Sequence, residues 1–207
     1  MKIISMCLGP LQTNCYIIYG KDKKAAVIDP AFYADRIQGV LDENGLTLDK
    51  ILLTHAHFDH IMAVEDLRKN GAELYLHEDD EDMLKHPELN CMLEFLGKSV
   101  KFEKAEHLLK DGDTVSVGGE EVRVVHTPGH TKGSVCYMAG GFMFSGDTLF
   151  CGSIGRTDLY GGSYETLQES LKRIKEIEED LTVLPGHGER TTLQKEKIDN
   201  IYMKTLR

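Results

Sequence analysis

Short apolar runs separated by polar turns occur along most of the chain, and their pattern predicts a protein rich in β-strands. Each run spans only a few residues, contains β-branched side chains and is bounded by turn-forming residues, which is typical of buried strands. The predicted strands are Lys2–Met6, Cys15–Tyr19, Ala25–Ile28, Lys50–Leu53, Glu73–Leu76, Thr114–Val117, Glu121–Val125, Ser134–Tyr137, Phe142–Phe144 and Leu181–Leu184. The pattern therefore places sheets at the centre of the fold.

Apolar spacings of three and four residues predict helices between these strands. The clearest helix lies in "SYETLQESLKRIKEIEED", with Ser163 as a suitable N-cap. Its apolar positions are Tyr164, Leu167, Leu171, Ile174 and Ile177. A second helix would carry Ile61, Val64 and Leu67 on one face and end at Gly71. Further helices are predicted at Ala34–Leu41, in parts of Glu78–Leu96 and at Lys195–Leu206.

The order of these elements predicts an α/β (α+β) protein in which helices cover sheets. Strands dominate the start of the chain and then alternate with helices; they return around residues 106–145 and are followed by helix, strand and helix. Two sheets packed face to face and covered by helices would form a four-layer αββα sandwich, and a three-layer α/β fold fits the periodicity equally well. No repeat or Ser/Pro-rich linker divides the sequence, so residues 1–207 are predicted to form a single domain.

Composition and charge narrow the class of protein. The chain has 207 residues, of which 41% are hydrophobic and 28% charged, as in ordinary globular proteins. No apolar run approaches the ~20 residues that cross a bilayer, so no membrane partner is expected. The N-terminus makes a poor signal peptide and the five cysteines form no CxxC pair, which favours a cytoplasmic location. The net charge of -10 argues against nucleic acid as a partner.

Four potential metal ligands follow apolar strands through turns that contain small residues. The segments are "ILLTH" ending at His55, "VVHTPGH" at His130, "FMFSGD" at Asp147 and "TVLPGH" at His187. Functional side chains of α/β proteins gather where strands give way to loops. Proline and glycine permit a sharp exit that aims the next side chain into a cleft. The repeated pattern predicts that these four side chains meet in one site.

The segment "THAHFDH" adds three ligands close to His55. In an extended segment, His55 and His57 point to the same side and could hold one metal ion together. Asp59 and His60 follow at the turn into the next helix, within reach of a second ion. Imidazole and carboxylate suit Zn²⁺, Fe or Mn²⁺, and the absence of cysteine ligands is typical of a catalytic rather than a structural zinc site.

The run "THAHFDH", followed in order by "HTPGHT", "SGDT" and "LPGHG", resembles the metallo-β-lactamase-fold hydrolases. The closest resemblance is to the glyoxalase II-like group (hydroxyacylglutathione hydrolases), particularly its short members, which lack the C-terminal helical domain. The matching motifs extend from about Asn14 to Gly188. The resemblance implies the four-layer αββα metallo-β-lactamase sandwich as the fold.

The resemblance also implies a role for each of the seven ligands. One divalent ion would be held by His55, His57 and His130, the other by Asp59, His60 and His187, and Asp147 would bridge them. Zn²⁺ is the favoured metal, with Fe or Mn²⁺ as alternatives. The nucleophile would be a hydroxide shared by both ions, because two dications lower the pKa of water from ~15.7 toward neutrality. No side chain is assigned as a catalyst beyond this hydroxide.

The implied reaction is hydrolysis of a small-molecule thioester to an acid and a thiol, with S-lactoylglutathione or a related acyl-thiol as the leading substrate. One alternative is a persulfide dioxygenase with a single Fe(II), which shares the fold, most of these motifs and a similar "GRTD" segment. Another is a metal-binding module without enzymatic activity, which the complete ligand set disfavours. The sequence does not predict an oligomeric state.

The glycine-rich loop "FCGSIGRTDLYGGS" after Asp147 is the expected source of substrate contacts. Arg156 or Tyr160 would lie at the rim of the cleft and touch an anionic substrate; alternatively, Arg156 would pair with Asp158 inside a compact loop. Cys151, near the site, is expected to be an inert small residue.

The remaining polar positions are expected to be structural or solvated. His126 would support the "TPGH" turn, whereas His77, His86 and His107 are predicted to be surface residues. Cys15 is predicted to lie in the core. The acidic run "HEDDEDM" is predicted to be the solvated start of a helix, where carboxylates interact favourably with the helix dipole.

Overall fold

The first of two six-stranded sheets contains strands from the first half of the chain, as seen in a computed structural model that describes residues 1–206. In sheet order these strands are β1 (Lys2–Leu8), β2 (Thr13–Tyr19), β3 (Lys24–Ile28), β4 (Thr47–Leu52), β5 (Glu73–His77) and β6 (His107–Leu109). Strands β1 to β3 pair antiparallel, whereas β3 to β6 pair in parallel. The parallel strands therefore all end at the same edge of the sheet.

The second sheet contains strands from the second half of the chain. In sheet order it has β14 (Thr191–Thr192), β13 (Thr182–Pro185), β10 (Phe142–Gly146), β9 (Val135–Ala139), β8 (Glu120–His126) and β7 (Thr114–Val117). A small ribbon is formed by β11 (Leu149–Phe150) and β12 (Ser153–Ile154). Because β9 is antiparallel to both β8 and β10, and β13 is parallel to β10, the strands β8, β10 and β13 end at a common edge.

Side chains of the inner strands alternate between two cores, which explains their uninterrupted apolar runs. In β2, Ile17 packs between the first sheet and its helices, whereas Ile18 packs between the two sheets. In β10, Phe144 lies between the sheets and Met143 lies under the helices of the second sheet. Both faces of each sheet are therefore buried in its central strands.

Helices cover the outer face of each sheet. Those on the first sheet are α1 (Ala34–Glu43), α2 (Phe58–Ile61), α3 (Val64–Arg68), α4 (Glu81–Lys85) and α5 (Met92–Leu96). Those on the second are α6 (Tyr164–Lys175), α7 (Leu193–Asp199) and α8 (Ile201–Lys204). The predicted four-layer αββα sandwich is confirmed. Among residues 1–206, no helix has the length and apolar character needed to span a membrane.

The structure modifies the predicted elements mainly where they are short. The helix predicted from Ile61 to Gly71 is divided into α2 and α3, and the one predicted at Lys195–Leu206 is divided at Asn200 into α7 and α8. Helix α6 starts as predicted, with the Ser163 hydroxyl accepting the amide N–H of Thr166. The strands β6, β11, β12 and β14 were not predicted, because two or three residues are too few to give a periodic signal.

The prediction that His77 is a surface residue is wrong. Its exposed fraction is 3%, and its ring stacks on that of His126 with the centroids 3.8 Å apart. This stack joins the end of β5 in the first sheet to the end of β8 in the second. His86 and His107 are exposed, and Cys15 is fully buried, as predicted.

Candidate metal centre

All seven predicted ligands lie where elements end at the edge shared by the two sheets. His55 and His57 lie in the extended segment between β4 and α2, and Asp59 and His60 belong to the first turn of α2. The other three follow strands of the second sheet: His130 comes after β8, Asp147 directly after β10 and His187 after β13. The four side chains of the strand-exit pattern, His55, His130, Asp147 and His187, thus lie together at this edge, and their binding of metal stays a prediction.

Three histidines form the first cluster. The Nδ1 atom of His57 lies 2.9 Å from Nε2 of His130, which lies 3.3 Å from Nε2 of His55. All three side chains are buried. These three nitrogens therefore converge on one point, and they could hold a metal ion.

The second cluster combines a carboxylate with two histidines. Oδ2 of Asp59 lies 3.2 Å from Nε2 of His187 and 3.5 Å from Nε2 of His60. This set also has the spacing of a metal site. Thr13 donates its hydroxyl to the same Asp59 oxygen at 2.9 Å, which fixes the orientation of the carboxylate.

The Asp147 carboxylate lies between the two clusters. Its Oδ1 atom is 3.5 Å from Nε2 of His60, and its Oδ2 atom is 3.6 Å from Nε2 of both His130 and His187. One residue thus faces nitrogens of both sets.

The residues fit a metal in two independent respects. A tetrahedral ion with metal–nitrogen distances of 2.0–2.1 Å separates its ligand nitrogens by about 3.3 Å, which equals the distance from His130 to His55 and is close to the 2.9 Å from His57 to His130. In addition, Nε2 of His60 and Oδ1 of Asp147 are buried without a hydrogen-bond partner, as is Nε2 of His57. Buried polar atoms are rarely left unpaired, and both His60 Nε2 and Asp147 Oδ1 point into the centre. The site is therefore built for a cation.

Two further residues orient His55 and His60. Nδ1 of His60 donates to Oδ2 of Asp29 at 2.9 Å, so that Nε2 keeps its lone pair for a metal. The hydroxyl of Thr54 donates to the same Asp29 oxygen at 2.7 Å and accepts from Nδ1 of His55 at 3.0 Å. Asp29 is 1% exposed and has a positive φ of 51°. The residue directly after β3 thus supports both clusters.

Backbone carbonyls orient two more ligands. Nδ1 of His130 donates to the carbonyl of Arg156 at 2.7 Å, and Nδ1 of His187 donates to that of Leu11 at 3.1 Å. Each hydrogen bond leaves Nε2 directed at the centre, as expected for metal-binding histidines. His57 differs, because its Nδ1 atom faces the centre.

The two clusters differ in their preference for protons. Burial and the neighbouring imidazoles lower the pKa of His55 and His57, so both offer free lone pairs. Burial also opposes a charge on His60, but three nearby carboxylates, led by Asp59, outweigh it and raise the pKa of His60 to about 10. Without a metal, Nε2 of His60 would therefore hold a second proton near neutral pH, and a cation bound at the second cluster would take the place of that proton.

A buried aspartate that was predicted to be solvated supports the first cluster. Asp80, in the acidic run "HEDDEDM", is 0% exposed. It accepts the N–H groups of Ala56 at 3.2 Å and Gly133 at 2.7 Å, and the hydroxyl of Thr131 at 2.8 Å. Asp80 thus joins the loop of His55 and His57 to the loop of His130. The sequence contains no local signal for this role, since all three partners are distant along the chain.

Close packing at the centre requires glycine at one position before a ligand. A Cβ atom built on Gly186 would lie 2.2 Å from Oδ1 of Asp147 and 2.8 Å from Cε1 of His60. The glycine of the "PGH" turn therefore allows His187 to follow immediately behind the other ligands.

A cleft of about 150 Å³ opens beside the ligands. Arg156 lines it and pairs with Asp158, with nitrogen–oxygen distances of 2.7 and 2.8 Å, and its contact with a substrate stays a prediction. Tyr160 does not line this cleft, because its ring faces Lys132, whose Nζ lies 5.3 Å from the ring centroid. The remaining walls are mainly apolar.

The loop that carries Arg156 is anchored to α7. The buried carboxylate of Glu196 accepts the N–H of Gly152 at 2.8 Å, the hydroxyl of Thr191 at 2.7 Å and the amide of Asn200 at 2.9 Å. Asn200 also donates to the carbonyl of Ser153 at 3.0 Å. Glu196 and Asn200 were not predicted as functional residues, because nothing in the sequence of α7 indicates which loop it contacts.

Two stacked sheets covered by helices, with a cluster of histidines and aspartates at the edge that the sheets share, define a known class of protein. Residues 8–187 match the Metallo-beta-lactamase superfamily, and the chain belongs to it. The chain is 37% identical over 207 residues to "Probable metallo-hydrolase YqgX" of Bacillus subtilis, covering 98% of each sequence. It is 32% identical over 210 residues to "Hydroxyacylglutathione hydrolase GloC" of Haemophilus influenzae, covering 99% of each.

Solved structures give the same result. The chain superposes on the BLEG-1 B3 metallo-beta-lactamase with a TM-score of 0.93 at 39% identity, covering 98% of this chain and 99% of the other. TTHA1623, solved in a di-iron-bound form, gives 0.86 at 35% identity and coverages of 96% and 99%. ETHE1 from Myxococcus xanthus gives 0.81 at 30% identity and coverages of 97% and 84%. The superfamily is shared, whereas the names of these relatives differ.

Proposed function

We propose that this protein is a metal-dependent hydrolase of small thioesters, of the glyoxalase II type, which cleaves S-lactoylglutathione or a related acyl-thiol. Two divalent ions are assigned, with Zn²⁺ favoured over Fe or Mn²⁺. His55, His57 and His130 would hold one, Asp59, His60 and His187 the other, and Asp147 would bridge them. The relationship to the protein named as GloC supports the choice of substrate.

The observation that carries this proposal is the completeness of the second cluster. Oδ2 of Asp59 lies within 3.5 Å of Nε2 of both His60 and His187. Each of the three side chains is oriented by a hydrogen bond: Asp59 by Thr13, His60 by Asp29 and His187 by the carbonyl of Leu11. A site for a single ion has no need of a second set of oriented ligands. Divalent ions held here would supply a Lewis acid and a water of lowered pKa.

The protein's own groups would orient the ligands and the substrate. Asp29 keeps the proton of His60 on Nδ1, and the Arg156 carbonyl keeps that of His130 on Nδ1. The Arg156 guanidinium would bind an anionic part of the thiol carrier at the cleft. The apolar walls would exclude water around the reacting carbonyl, which strengthens electrostatic interactions there.

We further propose that residues 1–207 act as one domain, because each cluster draws ligands from the segments that follow both sheets. Arg207 lies outside the described residues.

The test is an activity panel on protein of measured zinc, iron and manganese content. S-Lactoylglutathione, simple acyl thioesters, a lactone and a β-lactam would be compared before and after chelation and after restoration of each metal. We expect thioester hydrolysis that is lost on chelation and restored by metal. Hydrolysis of the lactone or the β-lactam alone would overturn the choice of substrate class while retaining metal-dependent hydrolysis.

The alternative is a persulfide dioxygenase with a single Fe(II). It is retained because the chain is similar to ETHE1 from Myxococcus xanthus at 30% identity, and because histidines and a carboxylate can hold iron. The di-iron-bound form of TTHA1623 also shows a relative that holds iron, although as two ions. Oxygen uptake by anaerobically purified protein with glutathione persulfide would distinguish the two. Oxygen consumption at one iron per chain, without thioester hydrolysis, would replace the hydrolase proposal.

A further inference from the structure

The cleft beside the seven ligands has an aromatic wall that continues to the protein surface. Phe58 directly follows His57 and is 2% exposed. Its ring stacks against that of Phe95 on α5, with the centroids 5.4 Å apart and the ring planes at 22°. Phe95 is 48% exposed and lines the same cleft. An apolar path therefore leads from a candidate metal ligand to the mouth of the cleft.

The other walls differ in character. Leu11, at the His187 side, is 42% exposed. Leu159 and the buried Cys91 add further apolar surface. Arg156 is the one basic side chain among the cleft residues, apart from the histidines themselves. The cleft thus offers a substrate one cationic position and a broad apolar surface.

Scattered exposed apolar residues are normal, but a group of them at the mouth of a ligand cleft indicates a binding surface. We propose that the substrate's acyl group is an apolar alkyl or aryl group that packs on Phe58 and Phe95, while its thiol lies toward Arg156. This inference rests on the proposed thioesterase function and defines its substrate class. It narrows the proposed substrates from S-lactoylglutathione and related acyl-thiols to those with an apolar acyl group, and it predicts a higher kcat/KM for these than for the lactoyl thioester.

The direction of the substrate follows from where charge develops. In thioester hydrolysis, the oxygen of water forms a bond to the carbonyl carbon, and the carbon–sulfur bond breaks. The sulfur keeps the electron pair of that bond and takes up a proton. Aromatic rings disfavour the negative charge that develops on sulfur, whereas the Arg156 side of the cleft presents the guanidinium that would bind an anionic part of the thiol carrier. The thiol is therefore assigned to the Arg156 side and the acyl group to the aromatic wall.

The first test measures kcat/KM of the metal-loaded protein for a series of thioesters of N-acetylcysteamine. The acyl groups are acetyl, lactoyl, butyryl, hexanoyl and benzoyl, so that only the acyl part changes. Burial of each added methylene is expected to contribute between about twofold and fourfold. We expect at least about a tenfold increase from acetyl to hexanoyl. A series that is flat, or that peaks at lactoyl, would overturn the proposal.

The second test assigns the preference to the aromatic wall. Phe95→Ala is expected to remove most of the dependence on chain length, so that the ratio of kcat/KM for the hexanoyl thioester to that for the acetyl thioester falls toward one. Leu93→Ala is the matched control, because Leu93 belongs to the same helix, is 44% exposed and does not line the cleft. An equal loss for every acyl group in Phe95→Ala, or the same loss in both variants, would contradict the assignment.

A binding measurement separates this inference from the proposed function. The unreactive thioethers S-ethyl- and S-hexyl-N-acetylcysteamine are titrated by calorimetry into metal-loaded protein and its Phe95→Ala variant. We expect tighter binding of the hexyl compound by the parent protein only. If no thioester is hydrolysed but this difference is found, the thioesterase proposal fails and the apolar subsite stands. Equal binding of both thioethers would overturn the subsite itself.

Discussion

At the scale of single residues, the centre depends on histidines whose ring nitrogens facing away from the centre are already hydrogen-bonded. Asp29, Thr54 and two backbone carbonyls bind the outer nitrogens of four histidines, so their inner nitrogens cannot turn away from the centre. Asp147 has no comparable restraint on Oδ1, which is buried and unpaired. Its orientation therefore depends on the cation that it would share.

Replacing Asp147 tests the bridging role. In Asp147→Asn the charge and one oxygen ligand are lost, so we expect bound metal to fall below that of the parent protein and kcat to fall by at least about a hundredfold. Metal content is measured by mass spectrometry and kcat with the best thioester. Asp66→Asn is the control, since Asp66 is exposed and pairs with Lys69. Full activity and full metal content in Asp147→Asn would refute the bridging role.

The carboxylate of Asp158 pairs with the Arg156 guanidinium and would therefore compete with an anionic substrate for it. We expect Arg156→Ala to raise KM for an anionic thioester by about tenfold with little change in kcat, and Asp158→Asn to lower KM, because a competing carboxylate is removed. A neutral N-acetylcysteamine thioester serves as the comparison substrate. We expect the two variants to change KM for the anionic thioester in opposite directions and to leave KM for the neutral thioester unchanged. The same change in KM for both thioesters would show that Arg156 has a purely structural role.

At the scale of elements, the C-terminal helices hold the loop that forms one side of the cleft. Helix α7 contributes Glu196 and ends at Asn200, and both bind the start of the loop at Gly152 and Ser153. Farther along the loop, the carbonyl of Arg156 binds His130. A short helix is thus connected to a candidate metal ligand through one loop.

Glu196→Gln tests this connection. The Glu196 carboxylate accepts three hydrogen bonds, whereas the NH₂ group of a glutamine side chain can only donate. At least one of the three bonds is therefore lost, and we expect the free energy of unfolding to fall by about 2 kcal/mol. We also expect a higher KM for an anionic thioester, since Arg156 is less well placed. Urea unfolding and steady-state kinetics are measured together, with Glu169→Gln on the exposed face of α6 as the control. A lower stability with unchanged KM would limit Glu196 to a structural role.

At the scale of the whole molecule, the centre joins the two halves of the sandwich. The first cluster takes His55 and His57 from the segment after β4 and His130 from the loop after β8. The second takes Asp59 and His60 from α2 and His187 from the end of β13. Each ion would therefore connect a segment of the first sheet to one of the second.

Removal of metal should consequently lower global stability. A ligand present at a hundred times its Kd stabilises by about 2.7 kcal/mol, which corresponds to about 5–10 °C in Tm for each site in a protein of this size. Differential scanning calorimetry before and after chelation, and after addition of Zn²⁺, is the measurement. A Tm that does not change with metal would show that the ligands are held by the fold alone.

The stack of His77 on His126 gives the contact between the sheets a pH dependence. Burial and the adjacent His126 lower the pKa of His77, although Asp79, Glu78 and Asp111 oppose this effect. His77 is therefore neutral in the folded protein and takes up a proton more readily on unfolding. Its contribution to stability is complete above its usual pKa of 6.5 and decreases as the pH falls below that value toward the lowered pKa.

We expect His77→Gln to lose less stability than the parent protein between pH 7 and pH 5. Urea midpoints at both pH values provide the measurement, and His86→Gln, at an exposed position, provides the control. An identical loss in the parent protein and in His77→Gln would exclude this contribution.

The sequence by itself determined which segments are buried strands and which side chains are metal-centre candidates, whereas its periodicity fitted three and four layers equally well. Uninterrupted apolar runs such as Cys15–Tyr19 require burial on both faces, and "THAHFDH", "TPGH", "SGD" and "LPGH" place ligands directly after strands. These are local patterns, so local reasoning finds them. It named Arg156 and Tyr160 as alternatives for the cleft rim, and only Arg156 lines the cleft, because the direction of a side chain in a glycine-rich loop depends on distant contacts.

Only the tertiary structure decided which groups support the centre and what the cleft accepts. Asp80 appeared to belong to a solvated acidic run, yet it is buried because the turn at Gly133 packs on it from 53 residues away. Glu196 and Phe95 likewise take their roles from partners outside their own segments, the loop at Gly152 and the ring of Phe58. Short-range patterning specified the candidate ligands, whereas their supports and the proposed substrate surface arise from contacts between segments far apart in the chain.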